Sequence, residues 1–206
     1  MTVSQSVSRG GVFVNKKEKI VQSAIQVFTE KGVEKTTVSH IVKTAGIAQG
    51  TFYLYFPSKL SLMPAIAEVM VQLTLKTVIE TVDETASFDE QLQQFTDAIF
   101  AVNKEHHEIQ AMIYSGLAST EHLKEWESVY APMYQWVSSL VENGQKQKVI
   151  RADSHPDQLA KLIIGLTESA AEQIYLYDEE FDQDIRATEQ KRETLLFLMN
   201  ALGYTK

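Results

Sequence analysis

No cysteine occurs in this 206-residue chain, which excludes disulfides, thiolate metal centres and cysteine nucleophiles and is compatible with a reducing compartment. Proline is scarce at four residues, and the chain shows no Pro-rich linker, low-complexity tract or internal repeat. After Pro57 strand alternation is almost absent, so helical periodicity is the signal that remains. No apolar stretch approaches the roughly 18 residues of a membrane span. Residues 1–15 lack the basic start and apolar centre of a secretion signal and read as a flexible arm. A cytoplasmic protein without membrane contact is therefore expected. Basic residues are also in deficit, 19 Lys and Arg against 27 Asp and Glu, for a net charge of −8. A uniform deficit would argue against nucleic acid. Residues 1–60, however, hold eight basic and three acidic residues, a net of +5, and the remainder carries −13. The positive charge is concentrated at one end.

Within that basic end, residues 36–62 read as two short helices joined at a glycine turn. Val38, Ile41, Val42 and Ala45 recur at i, i+3, i+4 and i+7, one apolar helical stripe, with Thr37 placed to cap it. Gly46 supplies the backbone freedom of the turn. Beyond it, Ala48, Phe52 and Phe56 repeat every four residues and are expected to anchor a second helix on the first. Gly50, Thr51, Tyr53 and Leu54 then face away from that core. Such a face is short, nearly uncharged and aromatic, suited to base edges, with Lys43 and Lys59 flanking it to meet phosphates.

The string Ala45, Gly46, Gly50, Thr51, Phe52, Tyr53, Tyr55, Phe56, Ser58, Lys59 and Leu62, preceded by an amphipathic helix from Lys16 to Gly32 and a Thr36–Thr37 cap, resembles the helix-turn-helix of TetR-type (tetracycline-repressor-like) transcriptional regulators. The diagnostic match covers residues 16–62; the rest agrees in length and helical pattern. The resemblance implies an all-α protein of about nine helices. Three form a helix-turn-helix DNA-binding domain over 16–62, and six form an effector-binding and dimerisation domain over 63–206. By the family pattern, Gln49, Gly50, Thr51 and Tyr53 approach bases or the adjoining backbone, Thr37, Tyr55 and Lys59 hold phosphates, and Leu54 reaches a thymine methyl. Two departures stand out. Ile47 and Ala48 replace the usual Ser or Thr, so a side-chain cap is missing, and Leu60 and Ser61 stand where acidic residues are usual. Pro64, read as a turn and a half into the fourth helix, is expected to bend or restart it.

Apolar markers outline the remaining helices: Leu62, Ile66, Val69 and Leu73; Phe88 to Val102; Ile109 to Leu117; Leu123 to Leu140, bent at Pro132 and ending near Gly144; Pro156 to Ala170; and a last helix after the acidic turn Asp178 to Asp184, running to Gly203. The resemblance places a small-molecule pocket among the fifth, sixth and seventh helices, with Phe95, Ile99, Met112, Tyr114, Met133, Trp136 and Glu168 as candidates. Glu168 and Glu172 are spaced to offer a carboxylate to a cationic ligand or to stand at a surface edge. Extra apolar residues on the last two helices, Leu162, Leu166, Leu196 and Phe197, suit a homodimer interface. His106 and His107 beside Glu105 and Glu108 look metal-like, but adjacent helical residues diverge by about 100°, so a pocket-lining or helix-end histidine is the better reading and no metal is expected. The acidic turn reads as a solvated helix start.

No Walker loop, nucleophile elbow or His-Glu-x-x-His is present, so neither an enzyme nor a cofactor is expected. The expected function is a ligand-responsive repressor that binds a palindromic double-stranded operator as a homodimer and is released by a small apolar or aromatic effector. The competing reading is a helical ligand carrier or protein-interaction module with weak or lost DNA binding.

Overall fold

The computed structural model describes residues 15–117, 123–177 and 182–205, and their side chains except at 114–117 and 123–126. The N-terminal arm through residue 14, the side chains of Tyr114 and Trp126, and Asp178, Glu179 and Glu180 lie outside the described residues. Those described form helices without strands: α1 Lys16–Lys31, α2 Val38–Ala45, α3 Gln49–Tyr53, α4 Met63–Thr81, α5 Phe88–Leu117, α6 Leu123–Lys146, α7 Pro156–Tyr175 and α8 Gln183–Leu202, with a 3-10 turn at Leu60–Leu62. They fall into two compact units, Met1–Leu62 and Met63–Lys206.

In the first unit each helix end has a chemical cause. The Asn15 side chain accepts the Lys17 N–H while Glu18 accepts the Asn15 N–H, so two donors that α1 cannot satisfy internally are met. Thr37 caps α2 by accepting the His40 N–H, and His40 Nδ1 accepts from Thr37 in return. Gly46 ends α2 at φ +62°, a left-handed conformation that glycine adopts at little cost. The α3 N-terminus at Ala48 has no side-chain cap, as Ile47 and Ala48 imply. Ile20, Ala24, Ile41, Ala45 and Phe52 are fully enclosed, and Phe28 and Phe56 nearly so. Ala48 is exposed, contrary to the expected stripe. With only five residues, α3 is fixed by Phe52 and Phe56 alone, the Phe52 carbonyl taking both the Tyr55 and Phe56 N–H groups at 3.0 Å.

The second unit corrects several expectations. Pro64 is the second residue of α4, not an interior one, because the preceding turn is 3-10; there its missing N–H costs nothing. The buried face of α4 is Met63, Ile66, Ala67, Met70, Val71, Thr74 and Val78, while Val69 and Leu73 are half-buried. This helix packs against both α5 and α6 and is apolar around much of its circumference. For the same reason Leu60–Thr81 is, contrary to expectation, long and apolar enough to cross a membrane by length and composition, with 44% of its most apolar 18 residues buried inside the protein.

The fifth and sixth expected helices are both present as two helical stretches of α5 that meet at a kink at the non-helical His106, φ −121° and ψ 21°. The described residues thus give eight elements, and nine helical stretches when α5 is divided at its kink. The apolar pattern lapses in the polar run from Asn103 to Glu108, yet the backbone bends there instead of opening into a loop. Likewise α6 continues past Pro132 and Gly144 to Lys146. Gly144 is not a terminator. A Cβ at this position would stand 2.8 Å from two Phe88 ring carbons, so the glycine admits the start of α5. As expected, α7 opens at Pro156 and α8 stops at Gly203, φ +62°. Phe95, Ile99, Met133, Val137, Ala160 and Ile163 form the centre of this unit's core.

Candidate functional site

On the first unit the short α3 and the residues after it place large side chains in solvent. Leu54 is 82% exposed, Tyr53 50% and Tyr55 40%, while the intervening Phe52 and Phe56 are buried with their rings 5.9 Å apart. Tyr53 is held edge-on to Phe52 at 5.4 Å, so it is exposed but oriented. Gln49 and Gly50 are exposed and Thr51 half-buried. A Cβ at Gly50 would meet nothing within 4 Å, and its φ lies outside the left-handed region, so neither packing nor conformation within the protein requires glycine there. Lys16, Lys17, Lys19, Lys31, Lys35 and Lys43 are exposed cations of the same unit, and the Thr37 hydroxyl, though accepting from His40, lies at the surface.

Lys59 turns its ammonium toward its own unit. Its ammonium donates to the Val33 carbonyl at 2.5 Å, to the Thr36 carbonyl at 2.8 Å and to the Glu34 carbonyl at 3.5 Å. All three protons are directed at the loop between α1 and α2, where Thr36 is buried and donates to the Gly32 carbonyl at 2.8 Å. An ammonium used in this way holds the loop instead of extending toward a phosphate.

In the second unit the pocket candidates do not come together. Phe95, Ile99 and Met133 have no exposed surface and Met112 little; they are packed core. Trp136, stacked on Phe95 at 6.1 Å, lines an open cleft of about 520 Å³ with Leu75, Ile79, Gln91, Pro132 and Leu140. Glu168 lines a different cavity, about 30 Å³, between α4, α5, α6 and α7, along with Met70, Val71, Gln110, Ile113, Tyr130 and Glu172. Its carboxylate accepts from the Tyr130 hydroxyl at 3.1 and 3.2 Å. Burial pushes its pKa up to about 8, the Tyr130 hydrogen bond opposes the rise, and the nearby Glu172 charge adds to it. Gln110 and Tyr130 were not singled out from the sequence; one sits in a polar stretch and the other counted as an apolar marker, and neither has a spacing that signals a site. Among the described residues no three His, Asp or Glu side chains are grouped as a metal site; His106 is the α5 bend and His107 Nδ1 lies 3.1 Å from the Lys104 carbonyl oxygen.

Between α7 and α8 runs an apolar groove of about 400 Å³, lined by Leu162, Gly165, Leu166, Phe197 and Leu198 among others. Leu162 is 67% exposed, Phe197 63% and Leu196 47%.

Residues 20–66 match the family described as bacterial regulatory proteins, tetR family, and residues 92–202 match the tetracyclin repressor-like C-terminal domain. The chain is 38% identical over 188 residues to the HTH-type transcriptional regulator YvdT of Bacillus subtilis (strain 168), an alignment covering 91% of this chain and 95% of that one. It belongs to the TetR family. Solved structures agree on the fold. FadR from Bacillus halodurans, a fatty acid degradation regulator, superposes with a TM-score of 0.68 at 21% identity, covering 91% of this chain and 97% of that one. FadR from Thermus thermophilus, solved in complex with lauroyl-CoA, gives 0.67 at 17% identity, covering 87% and 93%. As a TetR-family member the chain is a DNA-binding helix-turn-helix transcriptional regulator. The α3 face lies within the matched N-terminal region, and the all-helical second unit holds the matched C-terminal domain of the same family.

Proposed function

We propose that this TetR-family regulator is a repressor that binds a palindromic operator as a homodimer and leaves it when a small effector enters the helical unit. The observation that carries the DNA reading is the rigidly mounted, solvent-facing set Tyr53, Leu54 and Tyr55 beside a Gly50 that nothing inside the protein requires. A helical carrier freed from DNA binding would have no physical reason to keep large apolar side chains in water there. In this reading Gln49, Gly50, Thr51 and Tyr53 meet bases and sugars, Leu54 a thymine methyl, and Thr37 and Tyr55 phosphates. Exposed lysines of the same unit supply the salt-dependent attraction. Lys59 acts indirectly, by fixing the loop that presents Thr37.

Dimerisation through α7 and α8 is supported by the exposed Leu162, Leu196 and Phe197 around an apolar groove. Pairing two copies there would give a four-helix seam and two helix-turn-helix units. Such a dimer suits a palindrome whose half-sites lie about 34 to 36 Å apart. The effector reading rests on the cavities of the second unit and on the precedent of the Thermus relative with its bound acyl thioester. A hundredfold loss of operator affinity requires about 2.8 kcal/mol of coupling, which a ligand supplies only if it binds the DNA-released state better. The deciding experiment is selection of bound fragments from genomic DNA followed by footprinting with the purified full chain. A protected palindrome, lost in a Tyr53→Ala variant of unchanged melting temperature, is the expected result; no sequence preference above bulk DNA would remove the repressor reading.

A further inference from the structure

The small cavity at the junction of α4, α5, α6 and α7 has an uneven chemistry. Its walls are apolar, from Ala67, Met70, Val71 and Ile113, whereas its polar lining includes Glu168 and Glu172, one turn apart on α7, and Gln110 on α5. Gln110 Oε1 is buried and has no hydrogen-bond partner among the described residues. Glu168 accepts from Tyr130, and among the described residues no Lys, Arg or His pairs with it. A buried acceptor without a donor costs stability, and an enclosed carboxyl with no cation beside it can ionise only at a cost. Folds retain such groups where a ligand meets them.

What would satisfy them is a compact cation with several donors. We propose that this cavity takes the ammonium group of a small primary amine, the three N–H donors meeting Glu168, Glu172 and Gln110 Oε1 and the apolar body lying along Met70, Val71 and Ile113. About 10 to 15 Å³ holds one water, so about 30 Å³ accommodates an ammonium head. The rest of the ligand enters as the surrounding helices part, which is how binding here shifts the conformational balance. An acyl thioester such as lauroyl-CoA, whose phosphates are anionic, or a free fatty acid would instead bring negative charge toward Glu172 and no cation to ionise Glu168. The proposal rests on the effector reading for its regulatory consequence but not for binding itself.

A proton signature distinguishes this site from a merely apolar one. With its pKa near 8, Glu168 holds its proton in the empty cavity at neutral pH, and an arriving ammonium ionises it. Binding therefore releases a proton below about pH 8, and amine affinity climbs as pH rises toward that value and then levels. Among the described residues the titratable groups lining the cavity besides Glu168 are Glu172, on the same helix, and Tyr130 of α6; α4 and α5 contribute Ala67, Met70, Val71, Thr74, Gln110 and Ile113, none of which titrates.

The test is calorimetric titration of the full chain with hexylamine, hexanol and hexanoate, in two buffers of different ionisation heat. Hexylamine should bind more tightly than hexanol by about tenfold to a hundredfold, the range of a charge-assisted hydrogen bond, with proton release near neutral pH. Glu168→Gln, of equal size, should abolish both the preference and the proton release while its melting temperature near pH 4.5 matches wild type. Glu172→Gln should weaken hexylamine without removing the proton signal. Equal binding of hexanol, preference for hexanoate, no binding of hexylamine, or an unchanged preference in Glu168→Gln would each overturn the proposal. Operator release is scored separately. Hexylamine that binds with the proton signature but leaves DNA bound sustains the site and counts against the effector reading, whereas DNA release by hexanoate with no hexylamine binding does the reverse.

Discussion

Lys59 and Val33, 26 positions apart, are joined by a 2.5 Å hydrogen bond from the ammonium to the carbonyl, and the same ammonium also reaches the Thr36 and Glu34 carbonyls. The loop between α1 and α2 is thereby tied to the segment that follows α3. Lys59→Met should destabilise the helix-turn-helix unit by about 1 to 3 kcal/mol, as expected for hydrogen bonds to a charged group. Operator affinity should fall, yet the slope of log K against log salt should change little. A lysine that met phosphate directly would take about 0.9 from that slope. Measuring the slope therefore decides whether Lys59 braces the fold or touches DNA.

Gly50 offers the opposite contrast between stability and function. Alanine fits its open surroundings, and in a helix it should raise stability by up to about 1 kcal/mol. Operator binding should nonetheless weaken, because the added methyl projects from the exposed α3 face. A Gly50→Ala protein that melts no lower than wild type but binds as tightly would place the DNA contact elsewhere.

Leu162 and Phe197 lie exposed beside the α7–α8 groove. Charging either, as Leu162→Glu or Phe197→Asp, should leave the monomer folded, since neither side chain belongs to the buried core. Sedimentation should show monomers where wild type gives dimers, and palindrome affinity should drop while half-site affinity persists. Unchanged sedimentation of the double variant would exclude this face.

Glu168 makes stability depend on pH in a defined direction. Its folded pKa of about 8 lies above the ordinary 4.5, so the native state binds the extra proton between these values. The proton's contribution is complete below about pH 4.5, declines as pH rises and is lost above about pH 8. Wild type and Glu168→Gln should therefore melt alike near pH 4.5, whereas the glutamine variant should be increasingly the more stable as pH rises, by several degrees near pH 9. A difference that did not grow between those two pH values would mean the carboxyl is solvated.

Gly144→Ala should destabilise the helical unit despite alanine's better helix propensity. The new Cβ would stand 2.8 Å from two Phe88 ring carbons and 3.1 Å from Ile150 Cδ1. Overpacking of this kind costs about 1 to 3 kcal/mol. Thermal melting of Gly144→Ala alone and combined with Phe88→Leu would show it, the second change restoring much of the loss.

The sequence by itself determined the elements whose causes are local. The Thr37 cap, the left-handed Gly46, the Pro156 start and the Gly203 stop each follow from one residue's backbone chemistry, and the alternation of buried Phe52 and Phe56 with exposed Tyr53 and Tyr55 follows from helical spacing. Tertiary structure decided the rest, because the causes are distant in the chain. Lys59 turned inward because carbonyls more than twenty residues earlier lay within reach of its ammonium. Gly144 proved to be a packing residue because Phe88 comes against it, and Ala48 is exposed because a five-residue α3 is anchored by its phenylalanines alone. Seven residues expected to share one pocket were divided: Phe95, Ile99, Met112 and Met133 were taken into the core, Trp136 into an open cleft and Glu168 into a separate cavity with Gln110 and Tyr130, while the Tyr114 side chain lies outside the described residues. Periodicity identifies the apolar face of a helix. Whether that face meets another helix or an empty space depends on how four helices come together, and no spacing within one of them records it.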